Sequence, residues 1–195
     1  MVTGTGGKVG NGSEEGDPPE ADAGRPAAGQ KRVFVTNASY LADLTSAGGG
    51  TDGLAAGDKL CNTAAQAATL GGTWRAWLSG TSLAGSSDAA DRIAEAGPWY
   101  RLDGQKAFNN KANLMTAPLV PLNVDENRRQ IILPADVWTG TRVGGRASAL
   151  DCNGWGGGAF NGNATTGSTD GVDQRWTDAT LTRCAEKARL YCLEQ

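Results

Sequence analysis

The sequence predicts an α+β domain of many short strands and few helices, stapled by disulfides and preceded by a linker. Three observations predict it. Short runs of β-branched and aromatic residues recur between turn residues, one stretch alone carries a long helical pattern, and four cysteines occur without any Cys-x-x-Cys pair. A length of 195 residues fits one domain with an appendage.

The appendage is residues 1–30, rich in glycine and proline, with Val2 and Val9 as its only aliphatic residues larger than alanine. Such a segment buries too little apolar surface to offset its ordering entropy, so a disordered linker is expected, with the domain at 31–195. It contains no apolar signal-peptide core, and an exported protein would carry its signal or lipid anchor upstream. Five acids against two bases give this segment the whole net charge of −3; the other 165 residues hold 16 charges of each sign. That balance gives no general attraction to nucleic acid.

Lys31–Thr36 reads as the first strand. Thr51 or Asp52 can cap a helix over about Leu54–Thr69, where Leu54, Cys61, Ala64, Ala65 and Ala68 recur at helical spacing until Gly71-Gly72. Thr73–Ser79 alternates as a strand, with Trp74, Ala76 and Leu78 on one face and Trp77 on the other, both tryptophans being core candidates. Trp99–Leu102, Asp103-Gly104 and Lys106–Phe108 read as a hairpin. Further strands are expected at Gln130–Leu133, Asp136–Thr139 and Arg189–Leu193. The stretch from Cys152 to Trp176 holds seven glycines with several Asn and Thr, and reads as one long loop. No run approaches the roughly 18 apolar residues of a membrane span.

Histidine is absent, which removes the commonest general base, the Ser-His-Asp and Cys-His systems, and imidazole zinc sites. The even cysteine count in a Gly-, Ser- and Thr-rich chain favours two disulfides and an oxidising compartment, and four cysteines allow three connectivities. Asp151, Asp170, Asp173 and Asp178 with Asn153, Asn161 and Asn163 could offer oxygens to calcium, but their spacing matches no calcium loop. No metal and no cofactor is therefore expected.

Three segments together resemble endostatin, the C-terminal domain of collagen types XV and XVIII. They are Gly53–Ser79 with Cys61, Gly72-Thr73-Trp74-Arg75-Ala76-Trp77-Leu78-Ser79 and the following Asp91-Arg92; Val137-Trp138-Thr139-Gly140 through Gly144-Gly145-Arg146 to Cys152 and Trp155; and Cys184 with Leu190-Tyr191-Cys192-Leu193-Glu194. Trp176-Thr177-Asp178 before Cys184 is similar to the Trp-Asn-Asp of C-type lectins, whose fold endostatin shares. Bacterial secreted and lipoprotein domains are also similar. The resemblance implies a C-type-lectin-like twisted antiparallel sheet with flanking helices, termini side by side, and pairing of Cys61 with Cys192 and Cys152 with Cys184. Neither Glu-Pro-Asn nor Gln-Pro-Asp occurs, and Thr177 stands where a calcium-ligating Asn would, which argues against calcium-dependent sugar binding.

The function expected is a noncatalytic recognition or adhesion module, secreted or on the cell surface, for a carbohydrate or extracellular protein. Its site is expected in 152–178, with Trp155 and Phe160 as apolar anchors and Asn153, Asn161, Asn163, Asp170, Asp173 and Asp178 setting specificity. Packing of Trp155 as core over the Cys152 to Cys184 bridge is the competing reading. The alternatives are an enzyme using a free cysteine on the same scaffold, and a structural envelope or fibre module.

Overall fold

The structure is a computed structural model that describes residues 1–4, 30–82, 85–94, 96–156 and 161–195. The chain runs β1 (Lys31–Val35), β2 (Tyr40–Leu41), α1 (Leu44–Gly48), α2 (Gly53–Ala67), β3 (Trp74–Ala76), β4 (Gly80–Ser82) and β5 (Gly85–Ser87). It continues through α3 (Ala89–Arg92), β6 (Trp99–Arg101), β7 (Lys106–Phe108) and α4 (Lys111–Leu114). Then come β8 (Asp136–Trp138), β9 (Thr141–Arg142), β10 (Arg146–Ala147), β11 (Asn163–Ser168), a 3-10 turn (Gln174–Trp176), β12 (Thr180–Arg183), β13 (Lys187–Ala188) and β14 (Tyr191–Glu194). This is a mixed α+β architecture, and the expectation of disorder over 1–30 falls mainly on residues outside those described.

A five-stranded sheet in the order β3-β14-β1-β6-β7 organises the core. Its strands alternate in two directions, and both directions are buried. Phe34, Trp74, Ala76 and Cys192 enter one apolar cluster with α2, while Val33, Val35, Trp77, Trp99, Phe108, Tyr191 and Leu193 enter the other. The sheet is mixed, not antiparallel as expected: β1 pairs β14 antiparallel but β6 parallel, Lys31 lying opposite Trp99. The segment between β1 and β6 carries α1 and α2 and is long enough for the crossover that a parallel pair needs.

Pairing of β1 with β14 sets the first and last strands side by side in the middle of the sheet, Val33 opposite Leu193. Arg32 joins the two strands with a two-pronged contact to Glu194, Nε to Oε2 at 2.7 Å and Nη2 to Oε1 at 2.5 Å. Its Nη1 also donates to the Leu70 carbonyl at 2.6 Å, and its guanidinium lies 5.1 Å from the Trp74 ring. On α2, Asp52 supplies the cap, Oδ1 accepting from Leu54 N and Ala55 N, and Cys61 faces inward to bond Cys192. The second disulfide joins Cys152 to Cys184, so all four cysteines are bonded.

Two sequence expectations fail here. Gln130–Leu133 forms no strand but only a single bridge from Gln130 to Val124, because Asp125 Oδ1 accepts from Asn127 N and Arg129 N and curls the chain into a turn. The 152–176 stretch is not one loop, since β11 crosses it as the middle strand of β12-β11-β8. Within β11, Ala164, Thr165 and Thr166 are buried, and a Cβ on Gly167 would lie 1.9 Å from the Trp176 carbonyl oxygen. The glycine that looked like loop is the residue that lets the strand pass the 3-10 turn.

Candidate functional site

Among the described residues, the most unusual backbone lies at one end of that second sheet. Cys152, Asn153, Gly154 and Trp155 have φ values of 53°, 64°, 66° and 61°, four consecutive residues in the left-handed region. L-residues adopt it at a cost of roughly 1–2 kcal/mol each and normally singly, so three non-glycine residues in succession need support. Trp155 N donates to Asp151 O at 2.9 Å, closing one left-handed turn, and Gly154 N donates to Asp151 Oδ1 at 2.9 Å. The other Asp151 oxygen accepts from the Thr81 hydroxyl at 2.6 Å and from Thr81 N. Cys152 is bound to Cys184. The Trp155 carbonyl accepts from Leu44 N at 3.0 Å and Thr45 N at 3.3 Å. The turn is thus fastened to α1, to the β4–β5 hairpin and to the chain's second disulfide.

Helix α2 begins against this turn. A Cβ on Gly53 would lie 2.2 Å from the Gly154 carbonyl oxygen, and one on Gly154 would lie 2.4 Å from the Thr81 carbonyl oxygen. Between the turn, the start of α2, β3 and the β4–β5 hairpin opens a cleft of about 990 Å³. Its rim carries Asn153 from the turn, Thr51 and Asp52 before the helix, and the hydroxyl residues Thr81 and Ser87. Asp58, Arg75 and Arg92 complete its charged lining. Asp58 Oδ1 and Arg92 Nη2 pair at 2.7 Å, and Arg92 Nη1 donates to the carbonyls of Ala76 and Leu78 at 3.0 and 2.8 Å. That pair ties α2, β3 and α3 together beneath the cleft.

Of the predicted site residues that are among the described residues, Asn153 alone lines the cleft. Trp155 is a correction: it is fully buried, its Nε1 donates to Ser79 O at 2.8 Å, and its ring packs 5.8 Å from Trp138. A side chain enclosed in this way has no face to offer a ligand, and it belongs to the core. Phe160 lies outside the described residues. Asn161 and Asn163 are exposed, with Asn163 at the start of β11 opposite Arg183. Asp170 is half-buried and accepts from the Ser168 hydroxyl at 2.5 Å. Asp173 caps the 3-10 turn and pairs with Arg175 at 3.1 Å, and the Arg175 backbone N–H leads the contacts that hold its carboxyl below the usual range. Asp178 is half-buried beyond that turn. Thr177 is buried, its hydroxyl accepting from Trp77 Nε1 at 2.8 Å.

The acids of 151–178 are thus spread along β11 and its flanks, and among the described residues no group of three or more His, Cys, Asp or Glu could hold a metal ion. The cleft residues that sequence reasoning missed come from five separate segments. Thr51, Asp52 and Leu54 carried a signal for the helix and its cap, and Arg75 and Arg92 stood in the resembling segments, but none carried a signal for a cleft. Among the described residues no helix is long and apolar enough to cross a membrane. Comparison with protein-family models and with curated proteins finds no match to this chain.

Proposed function

We propose that this chain is a noncatalytic recognition module working outside the cytoplasm, an endostatin-like domain of C-type-lectin-like fold. It binds a carbohydrate or extracellular protein in the cleft beside residues 152–156. The observation carrying this reading is the left-handed turn at Cys152–Trp155, fastened on three sides and presenting Asn153 at the rim of a polar cleft. Strained backbone persists where surrounding contacts over-determine it, and it concentrates at ligand-holding positions. A rigid rim with hydroxyl, amide and charged groups suits selective binding.

The chemistry of the cleft supports recognition over catalysis. The sequence holds no histidine, and the alternative enzyme reading has no free thiol to use because every cysteine is bonded. Asp58 and Arg92, the paired charges of the cleft, are committed to each other. Two disulfides support an oxidising compartment.

The test is to probe glycan and peptide arrays with the full chain and then measure each hit with Asn153→Gly, which keeps the left-handed backbone and removes the side chain. We expect at least a tenfold loss of affinity in a variant that still melts as a folded chain. Hits bound equally well by the variant would place the ligand elsewhere.

A further inference from the structure

We propose that the cleft selects a zwitterionic ligand, a short peptide with free termini, its ammonium at Asp52 and its carboxylate at Arg75. This rests on the reading of the cleft as the binding site. The fold has already used two of the charges that line the cleft. Asp58 and Arg92 neutralise each other at 2.7 Å, and Asp58 Oδ1 also accepts from Ala76 N at 2.9 Å. Arg92 is further spent on the carbonyls of Leu54, Ala76 and Leu78 at 3.3, 3.0 and 2.8 Å.

One carboxylate and one guanidinium then remain on the lining. Asp52 caps α2 through Oδ1 alone, accepting from Leu54 N at 2.9 Å and Ala55 N at 3.2 Å, and the residue is exposed. Its second oxygen stands outside the cap. Arg75 donates through Nη1 to the Arg92 carbonyl and is half-exposed, so the cap-like contact uses one corner of its fork. The two side chains line the same cleft, yet the ion pairs within 4.0 Å among the described residues do not include them.

Opposite charges that share a cleft without meeting fit a ligand with opposite charges at its two ends. A neutral polyol would leave both charges without a counter-charge, and a singly charged ligand would be attracted at one end and repelled at the other. Arginine's planar fork matches a carboxylate, and terminal amine and carboxylate capture is a recurring mode of peptide recognition. A volume of about 990 Å³ exceeds what one amino acid fills. On the same lining, the hydroxyls of Thr51 and Ser87 and the Asn153 amide give hydrogen-bonding groups for a peptide backbone.

Calorimetric titration of the full chain with di-, tri- and tetra-alanine tests this, beside their N-acetylated and C-amidated forms and the neutral trisaccharide maltotriose. The expected result is binding of one free-ended length, weakened at least tenfold by blocking either end. Asp52→Asn, which keeps a capping side chain, should erase discrimination against the acetylated peptide only. Arg75→Gln should erase discrimination against the amidated peptide only, and Arg75→Lys should restore part of it. Blocked peptides that bind as well as free ones, or free peptides that do not bind, overturn the proposal. Maltotriose binding that depends on Asn153 would then leave the recognition reading standing without it, whereas no Asn153-dependent binding of peptide, maltotriose or array ligand sinks both.

Discussion

The two disulfides tie down regions built on different principles. Around Cys61–Cys192, regular elements meet: α2 lies on β3 and β14, and Phe34, Trp74 and Leu78 fill the space between them. Around Cys152–Cys184, regular elements are short and order comes from side chains bonding backbone and one another. Thr139 Oγ1 donates to Thr177 O at 2.6 Å, Thr141 Oγ1 to Thr139 O at 2.6 Å, Thr165 Oγ1 to Ser148 Oγ at 2.8 Å, and Ala89 N to Ser79 Oγ at 2.8 Å. Asp151 does the same for the left-handed turn. The first region is held by periodic apolar packing, and the second by a hydroxyl and carboxylate network buried among tryptophans. Packing makes a frame; the network holds an irregular backbone in one shape at the edge of the cleft.

Removing each bridge separately gives the largest effect and the sharpest test of that contrast. In the chain-entropy model the bridge across 131 residues contributes at most about 5 kcal/mol and that across 32 residues about 4 kcal/mol. Cys61→Ala with Cys192→Ala should lower stability by up to that amount and raise amide exchange across β1, β3 and β14 together. Cys152→Ala with Cys184→Ala should release 149–156 first, with β1 and β14 still protected. Uniform loss of protection in both variants would show one cooperative unit and break the comparison.

Trp155→Ala comes next, because Trp155 is where the two regions interlock. Truncating a fully buried tryptophan costs about 3–5 kcal/mol, and here it also deprives Ser79 O of its indole donor. Chemical denaturation should show a loss in that range, together with loss of any cleft affinity that Asn153 supports. A stable Trp155→Ala variant would mean that the network alone holds the left-handed turn.

The same contrast decides what the sequence makes legible. The β1 strand, the Trp99–Phe108 hairpin, and the helix with its Asp52 cap are readable because apolar residues recur at periods of 2 or 3.6 and turn residues bound them. β11 hides because Asn163, Thr165, Thr166, Gly167 and Ser168 have the composition of a loop, although Thr165 and Thr166 are buried and bonded. Trp155 misleads for a related reason: beside glycine and asparagine it resembles an exposed anchor, and only the contact with Trp138 and Ser79 shows it to be core. The cleft has no sequence signature, since Asp52, Arg75, Thr81 and Asn153 come together only when the sheet and hairpin have formed.

The smallest expected effect is pH dependence. No histidine is present to titrate between pH 5 and 8, so stability should be level there. On the acid side, hydrogen bonds from the Ser46 and Thr45 side chains hold the Asp43 carboxyl below its usual range. At Asp103, burial is the largest single influence and pushes upward, but the Arg101 contact and the backbone N–H groups of Gln105 and Asp103 together outweigh it and the carboxyl is again lowered. A depressed folded-state pKa contributes stability that is present above the unfolded value, near 4, and is lost as pH falls through the folded value. On the alkaline side, burial raises the Tyr191 hydroxyl well above 10, with Asp170 and Asp136 adding to the shift, and burial raises Tyr40 less strongly. A raised folded-state pKa gives the opposite sign: full stability below about 10, then loss as pH climbs toward the folded value. Tyr191 lies on β14 in the packed frame, so alkaline unfolding should begin there. Thermal melts from pH 2 to 11 should give a plateau with two shoulders. Tyr191→Phe should remove most of the alkaline shoulder and leave the acid one unchanged, and an alkaline shoulder that persists in that variant would assign the loss to another group.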